Sequence, residues 1–237
     1  NQYHNVTIKA DVNIDETVEV YGMNIDEGKH VRITHEGGLT IGNGGVREAH
    51  DGCITIDNLP EGAGFLRIAP SATNKLTKQV TVNYATMAYN SGNPQDEVWQ
   101  YVGAPGTGMQ MNNNADKTLI YHWNEQKGWV KNSGTSLEPF VGYALTQDQA
   151  QRGEFEIIAT PIFENKKIDF TKTEEGMNGD NLFVNSYLSP IDVARIDPNT
   201  DYSGIEGTFY LFNSGSWRDW QDGDPNSVTV DKSPGQY

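Results

Sequence analysis

Triplets with an apolar residue at each end and a polar one between recur through the first part of the chain. They are Val6-Thr7-Ile8, Val12-Asn13-Ile14, Val18-Glu19-Val20, Val31-Arg32-Ile33, Leu39-Thr40-Ile41, Ile54-Thr55-Ile56, Leu66-Arg67-Ile68 and Val80-Thr81-Val82. Alternation with a period of two puts both outer side chains on one face, the pattern of a half-buried strand, and β-branched residues fill most of those positions. Between the triplets stand Glu27-Gly28, Glu36-Gly37-Gly38, Gly42-Asn43-Gly44-Gly45 and Glu61-Gly62-Ala63-Gly64, read as corners that use positive φ angles. Such short strands suit a coiled stack of rungs, each burying its inward residues against the next. A conventional antiparallel sandwich of short strands is the competing structure. Either way residues 1–82 form a short-strand β region, and residues 83–237 read as a second domain.

In that second domain one grammar occurs twice. Trp99-Gln100-Tyr101-Val102 followed by Leu119-Ile120-Tyr121-His122-Trp123-Asn124 is matched by Asn181-Leu182-Phe183-Val184-Asn185-Ser186-Tyr187 followed by Thr208-Phe209-Tyr210-Leu211-Phe212-Asn213. Two strand-loop-strand units can each supply part of a β-sandwich, jelly-roll-like in outline, because neither alone buries its apolar face. Residues 140–145 and 154–162 predict two more strands, with the turn Asp148 to Gly153 between them. The fold class expected is therefore all-β throughout.

Composition narrows the function. The 237 residues carry 32 acidic against 17 basic side chains, a formal charge of −15, which disfavours nucleic acid and anionic membranes as partners. An aromatic share of 10% marks an ordered chain rather than a disordered one. Glycines and prolines interrupt every potential long helix, and no apolar run approaches the length of a membrane span. The opening NQYHNVTIKAD has no apolar leader, as a mature start would leave it. Cys53 is alone, so no internal disulfide forms, and its setting in GCITID predicts a small buried filler.

The series VWQYVGAP, LIYHWNEQKGW, PFVGYAL, EFEIIATPIF, GDNLFVNSYLSPID and TFYLFN resembles a module of large secreted and cell-surface proteins of the Bacteroidetes. There the pattern reads W-x-Y-V-G-x-P, Y-x-W-x-E-x-x-G-W, G-Y-x-L and G-W-N-L-I-G-N-P-Y-P-S-P-I-D. The likeness covers roughly residues 95–215 and extends more loosely over the N-terminal region. Asn181, Leu182, Asn185, Tyr187, Ser189, Pro190, Ile191 and Asp192 match the last motif, while Asp180, Val184, Ser186 and Leu188 depart from it. The resemblance implies an extracellular or outer-surface location, neighbouring domains, and no catalytic signature to transfer. Ser233 to Tyr237 resembles the start of a further strand.

No chemistry of a familiar enzyme is spelled out. His4, His30, His35, His50 and His122 lack zinc-ligand spacing, although His30 and His35 could meet across a turn. Neither a G-x-S-x-G elbow nor a phosphate-binding loop with its lysine occurs. Carboxylate pairs are too numerous for sequence to choose among, so a hydrolase or lyase acting on polysaccharide stays open as an alternative. Calcium is the ion best matched: Asp219, Asp222, Asp224 and Asn226 put hard oxygen ligands on one loop bent at Gly223, and Asp197, Asn199 and Asp201 form a second cluster. Plain polar turns would use the same residues.

Aromatic residues suggest a ligand surface. Trp217 and Trp220 beside Asp219 could stack on sugar rings while carboxylates take the hydroxyls. Trp99, Tyr121 and Trp123 are expected in the core instead, as strand aromatics usually are. The reading is a non-catalytic surface or secreted adhesion or binding module, with a glycan or cell-surface protein as partner. A structural spacer is the remaining alternative.

Overall fold

A computed structural model describes residues 4–59, 62–85, 98–112, 118–134, 136–147, 154–176, 179–192, 195–197 and 199–204, together with strand backbone at 208–211, 215–216 and 228–231. The described secondary structure is all β, apart from one isolated 3-10 position. The first strands are β1 (Asn5–Ile8), β2 (Val12–Ile14), β3 (Thr17–Ile25), β4 (Val31–Ile33), β5 (Gly38–Glu48), β6 (Ile54–Leu59), β7 (Gly62–Ala63), β8 (Phe65–Ile68) and β9 (Val80–Ala85). Apart from the small hairpin of β7 on β6, successive strands join alternate sheets: β1-β3-β5-β8 make one and β2-β4-β6-β9 the core of another. All the neighbours in these two series pair in parallel. The chain therefore coils as a stack of rungs, whereas a sandwich of hairpins would pair its strands antiparallel.

The triplets explain the stack. Register sets Val20 beside Ile41 and Ile41 beside Ile68 in one sheet, and Ile14 beside Ile33, Ile33 beside Ile56 and Ile56 beside Val82 in the other. Each rung thus adds the outer residues of its triplet to rows running along the stack. Val31, Ile33, Ile41, Ile54 and Val80 have no exposed surface, and each contributes about 1.5–3 kcal/mol of hydrophobic stabilisation. Cys53 is buried among them, and burial raises the pKa of its thiol.

Two of the expected corners lie in strands, and of the glycines read as positive-φ corners only Gly28 and Gly45 take that sign. Gly62–Ala63 forms β7. Gly42 to Gly45 runs inside β5, where the register with β3 shifts between Val20 and Gly22. The glycines serve close approach there: a Cβ on Gly44 would meet Gly22 and the Tyr21 carbonyl, and Gly45, at φ 63°, would collide with the Asn74 backbone. Two rungs therefore touch where a side chain would hold them apart.

The remaining strands are β10 (Val98–Val102), β11 (Thr107–Asn112), β12 (Thr118–Asn124), β13 (Gly128–Lys131), β14 (Tyr143–Gln147), β15 (Glu154–Thr160), β16 (Thr208–Leu211), β17 (Gly215–Ser216) and β18 (Val228–Asp231). Strand β15 pairs antiparallel with β9, and β11 with β15, so the second sheet of the stack continues across the last rung to seven strands. A further antiparallel sheet, β13-β12-β14-β10-β17, contributes Val102, Ile120, Tyr143 and Leu145 to the same continuous core as Phe155, Ile157 and Met111. Strands β16 and β18 pair with each other. The two segments that share a grammar differ in conformation: Val98–Val102 is a strand, while residues 181–187 lie outside any strand.

Candidate functional site

Alternation within the antiparallel sheet decides which side chains face outward. Register aligns Tyr101 with Ala144 and Ala144 with Tyr121, next to a row of Val102, Tyr143 and His122. Val102 and Tyr143 belong to the core, so Tyr101 and Tyr121 point to the opposite face, joined by parity with Trp99, Trp123 and the Trp123 partner Trp129. The expectation that Trp99, Tyr121 and Trp123 are core residues is corrected here: all three are half-buried on the outer face. The inward positions were already taken by Val102, Ile120 and Leu145.

The rings pack on one another across the strands. Trp99 and Tyr121 meet edge to face at 5.5 Å, Trp123 and Trp129 at 5.3 Å, and Tyr101 and Trp129 at 5.8 Å between ring centroids. The central strand makes this possible by carrying a small residue: Ala144 is buried beneath rings that lean over it from both sides. Thr146, one position of the same parity along, is buried too and donates its hydroxyl to the Val98 carbonyl. Burial raises the pKa of the Tyr101 phenol. The result is a rigid, uncharged aromatic surface bordered by Lys131 on β13.

One end of this surface is fastened to an irregular strap, residues 161–176 and 179–192. The Trp123 indole N–H donates to the Asp180 carbonyl at 2.7 Å. At the tip of the β12–β13 hairpin, Glu125 is 4% exposed. Its carboxylate accepts from the Thr173 N–H and hydroxyl at 3.1 and 2.7 Å and from the Gly179 N–H at 3.1 Å. A buried carboxylate is tolerable only with such donors. Glu125 escaped the sequence reading because an acidic residue in a polar hairpin looks solvated. The legible sign was its place between the paired aromatic strands.

The other candidates separate. Trp217, Asp219, Trp220, Asp222, Asp224 and Asn226, the expected glycan platform and calcium loop, lie outside the described residues. In the second acidic cluster, Asp197 accepts from the Asn199 N–H at 2.9 Å, and Asp201 from the Asp197 N–H at 2.8 Å. These carboxylates serve their own turn, and the hydrogen bond from the Asn199 backbone holds the Asp197 carboxyl below its ordinary pKa. No group of three or more His, Cys, Asp and Glu among the described residues is arranged to hold a metal. His30 meets His50, at 5.6 Å between rings, rather than His35, because successive corners of the stack superpose.

No protein-family model and no solved structure matches the chain. Among curated proteins it is similar to the minor fimbrium subunit Mfa5 of Porphyromonas gingivalis, 31% identical over 153 residues, covering 59% of this chain. The match spans 12% of that protein's length.

Proposed function

We propose that this chain is a non-catalytic module of a surface-displayed adhesion protein, and that it contacts a glycan through the outer aromatic face of the antiparallel sheet. The observation that carries the reading is the row Trp99, Tyr101, Tyr121, Trp123 and Trp129, set outward over buried Ala144 while the core is filled largely by aliphatic residues. Apolar C–H faces of sugars stack on such rings, and preassembled rings lose little entropy on binding. Similarity to a fimbrium subunit supports a surface setting and association with other surface proteins. The stack supports the same role as a stiff support, since every rung is hydrogen-bonded to the next.

A glycan array probed with the purified chain, followed by titration of each hit against Trp129→Ala and Tyr121→Ala, tests this. Each substitution is expected to weaken binding roughly tenfold, about 1.4 kcal/mol. Silence across the array would reduce the module to a spacer, and turnover of a polysaccharide would overturn the non-catalytic reading.

A further inference from the structure

Between β8, at the edge of the parallel sheet, and β10 of the antiparallel sheet, a gap is left over the seven-stranded sheet. A cleft of about 320 Å³ occupies the junction, within the roughly 300–1,000 Å³ of small-molecule sites. Its floor is Ile56, Val82 and Tyr84 of the shared sheet; Phe65 closes one side, and Val184 and Leu188 of the strap close another.

These walls are fixed. The Leu66 N–H donates to the Leu188 carbonyl at 2.7 Å, which ties the strap to the edge of β8. Val184 lies against Gly103, where any Cβ would collide with it. The Phe140 N–H donates to the Ser186 hydroxyl at 2.7 Å, and the Phe140 ring packs on Tyr187 at 5.2 Å. Phe140 holds a φ of 64° to do so, a conformation that costs a non-glycine residue energy and persists only where its surroundings enforce it. The strap is thus anchored at Ser186, Leu188 and, farther along, Glu125.

Chemistry selects the occupant. In a chain of charge −15, no Asp, Glu, Lys, Arg or His among the described residues lines the cleft. An ionised ligand would enter without a counter-charge and lose its hydration. Phenyl and phenol rings line it instead, from Phe65, Tyr84, Tyr101 and Tyr187, with the Asn58 amide and Ser189 hydroxyl as polar groups. Tyr84 already accepts from the Gln100 amide at 3.0 Å and so is held in place. We propose that this junction cleft is a binding site for a small uncharged aromatic ligand, adjoining the outer aromatic face at Tyr101.

Indole is the probe, titrated into isotopically labelled chain while backbone amide shifts are followed. Saturable shifts are expected at Ala63, Gly64, Gly103 and Ser189, with the outer-face strand amides of Trp123 and Trp129 unmoved. Tryptamine and indole-3-acetate, which add a charge of either sign, are expected to bind at least roughly tenfold more weakly. Ser189→Trp and Ala63→Trp, each at a lining position, are expected to abolish the indole shifts. Non-saturating or scattered shifts would overturn the proposal, as would equal binding of the charged analogues to the unmodified chain. Methyl glucoside moving these amides where indole does not would show a sugar site instead. Because Tyr121 does not line the cleft, whereas Tyr101, which touches Trp129, does, Tyr121→Ala keeps failure of the glycan reading and failure of this one separable.

Discussion

The parallel stack and the five-stranded antiparallel sheet share one continuous core but use their large side chains in opposite ways. In the stack, aliphatic residues of each triplet turn inward, and the outward centre is polar, as in Thr40, Thr55, Arg67 and Thr81. In the antiparallel sheet the inward residues are again largely aliphatic, yet the outward ones are tryptophan and tyrosine. A stack grows by repeating its interior, so its exterior is unconstrained and becomes ordinary polar surface. The antiparallel sheet, packed on one side among the described residues, has a second face to devote to contact. Stability should therefore reside mainly in the first region and recognition in the second.

Substitution in the stack should have the largest effect. Leu39 is 1% exposed and sits in register with Val18 and Leu66; Leu39→Ala is expected to cost about 2–5 kcal/mol, read from urea unfolding. A loss below about 1 kcal/mol would mean that rungs do not share a core, which would break the comparison at its root. Glu125→Ala comes next. Removing the carboxylate strands the Thr173 and Gly179 donors, at about 1–3 kcal/mol. Hydrogen exchange should accelerate at those amides while Ile33 and Ile56 in the stack remain protected; acceleration in both regions would show that the strap supports the whole fold.

Much of the stack was legible because its signal is local: all the apolar triplets fall in strands, including Val12-Asn13-Ile14 and Val31-Arg32-Ile33, each of which forms a strand by itself. Parallel pairing was harder to read, since a triplet looks the same in a hairpin. Gly42 to Gly45 misled as a corner because glycine also serves close strand approach, which depends on a neighbouring rung some twenty residues away. The aromatic strands carried apolar residues at both parities, Val98, Val102 and Ile120 against Trp99, Tyr101, Tyr121 and Trp123, so alternation could not choose the buried face. That choice was made by the partner sheet, through Phe155, Ile157 and Met111. Residues 181–187 repeat the apolar grammar of Val98–Val102, but their polar atoms are spent on loop bonds, such as Asn185 to Ser189 and Tyr187.

Trp129→Ala sharpens the contrast from the recognition side. Trp129 touches Trp123 and Tyr101, and aromatic pairs contribute about 0.5–1.5 kcal/mol each, so its removal should cost less than Leu39→Ala while weakening glycan binding roughly tenfold. Thermal unfolding and binding measured on the same preparation would show whether the two losses dissociate. Equal losses in both would mean that the outer rings are structural.

The smallest effect belongs to the acidic turn at Asp197. Its carboxyl is held below the ordinary value of 3.8 by the Asn199 N–H and amide. A depressed carboxyl pKa means the folded turn prefers the ionised form, so its contribution is complete above the unfolded pKa and disappears as pH falls through the lower folded one. Following the Asp197 carboxyl by NMR during acidification should give a midpoint below 3.8, and Asn199→Ala, which removes the side-chain donor but keeps the backbone one, should move it only part of the way back. Stack amides should not respond in that window. If they did, an exposed turn at the far end of the chain would be coupled to the rungs, and the division between a stable stack and an independently tunable second region would not hold.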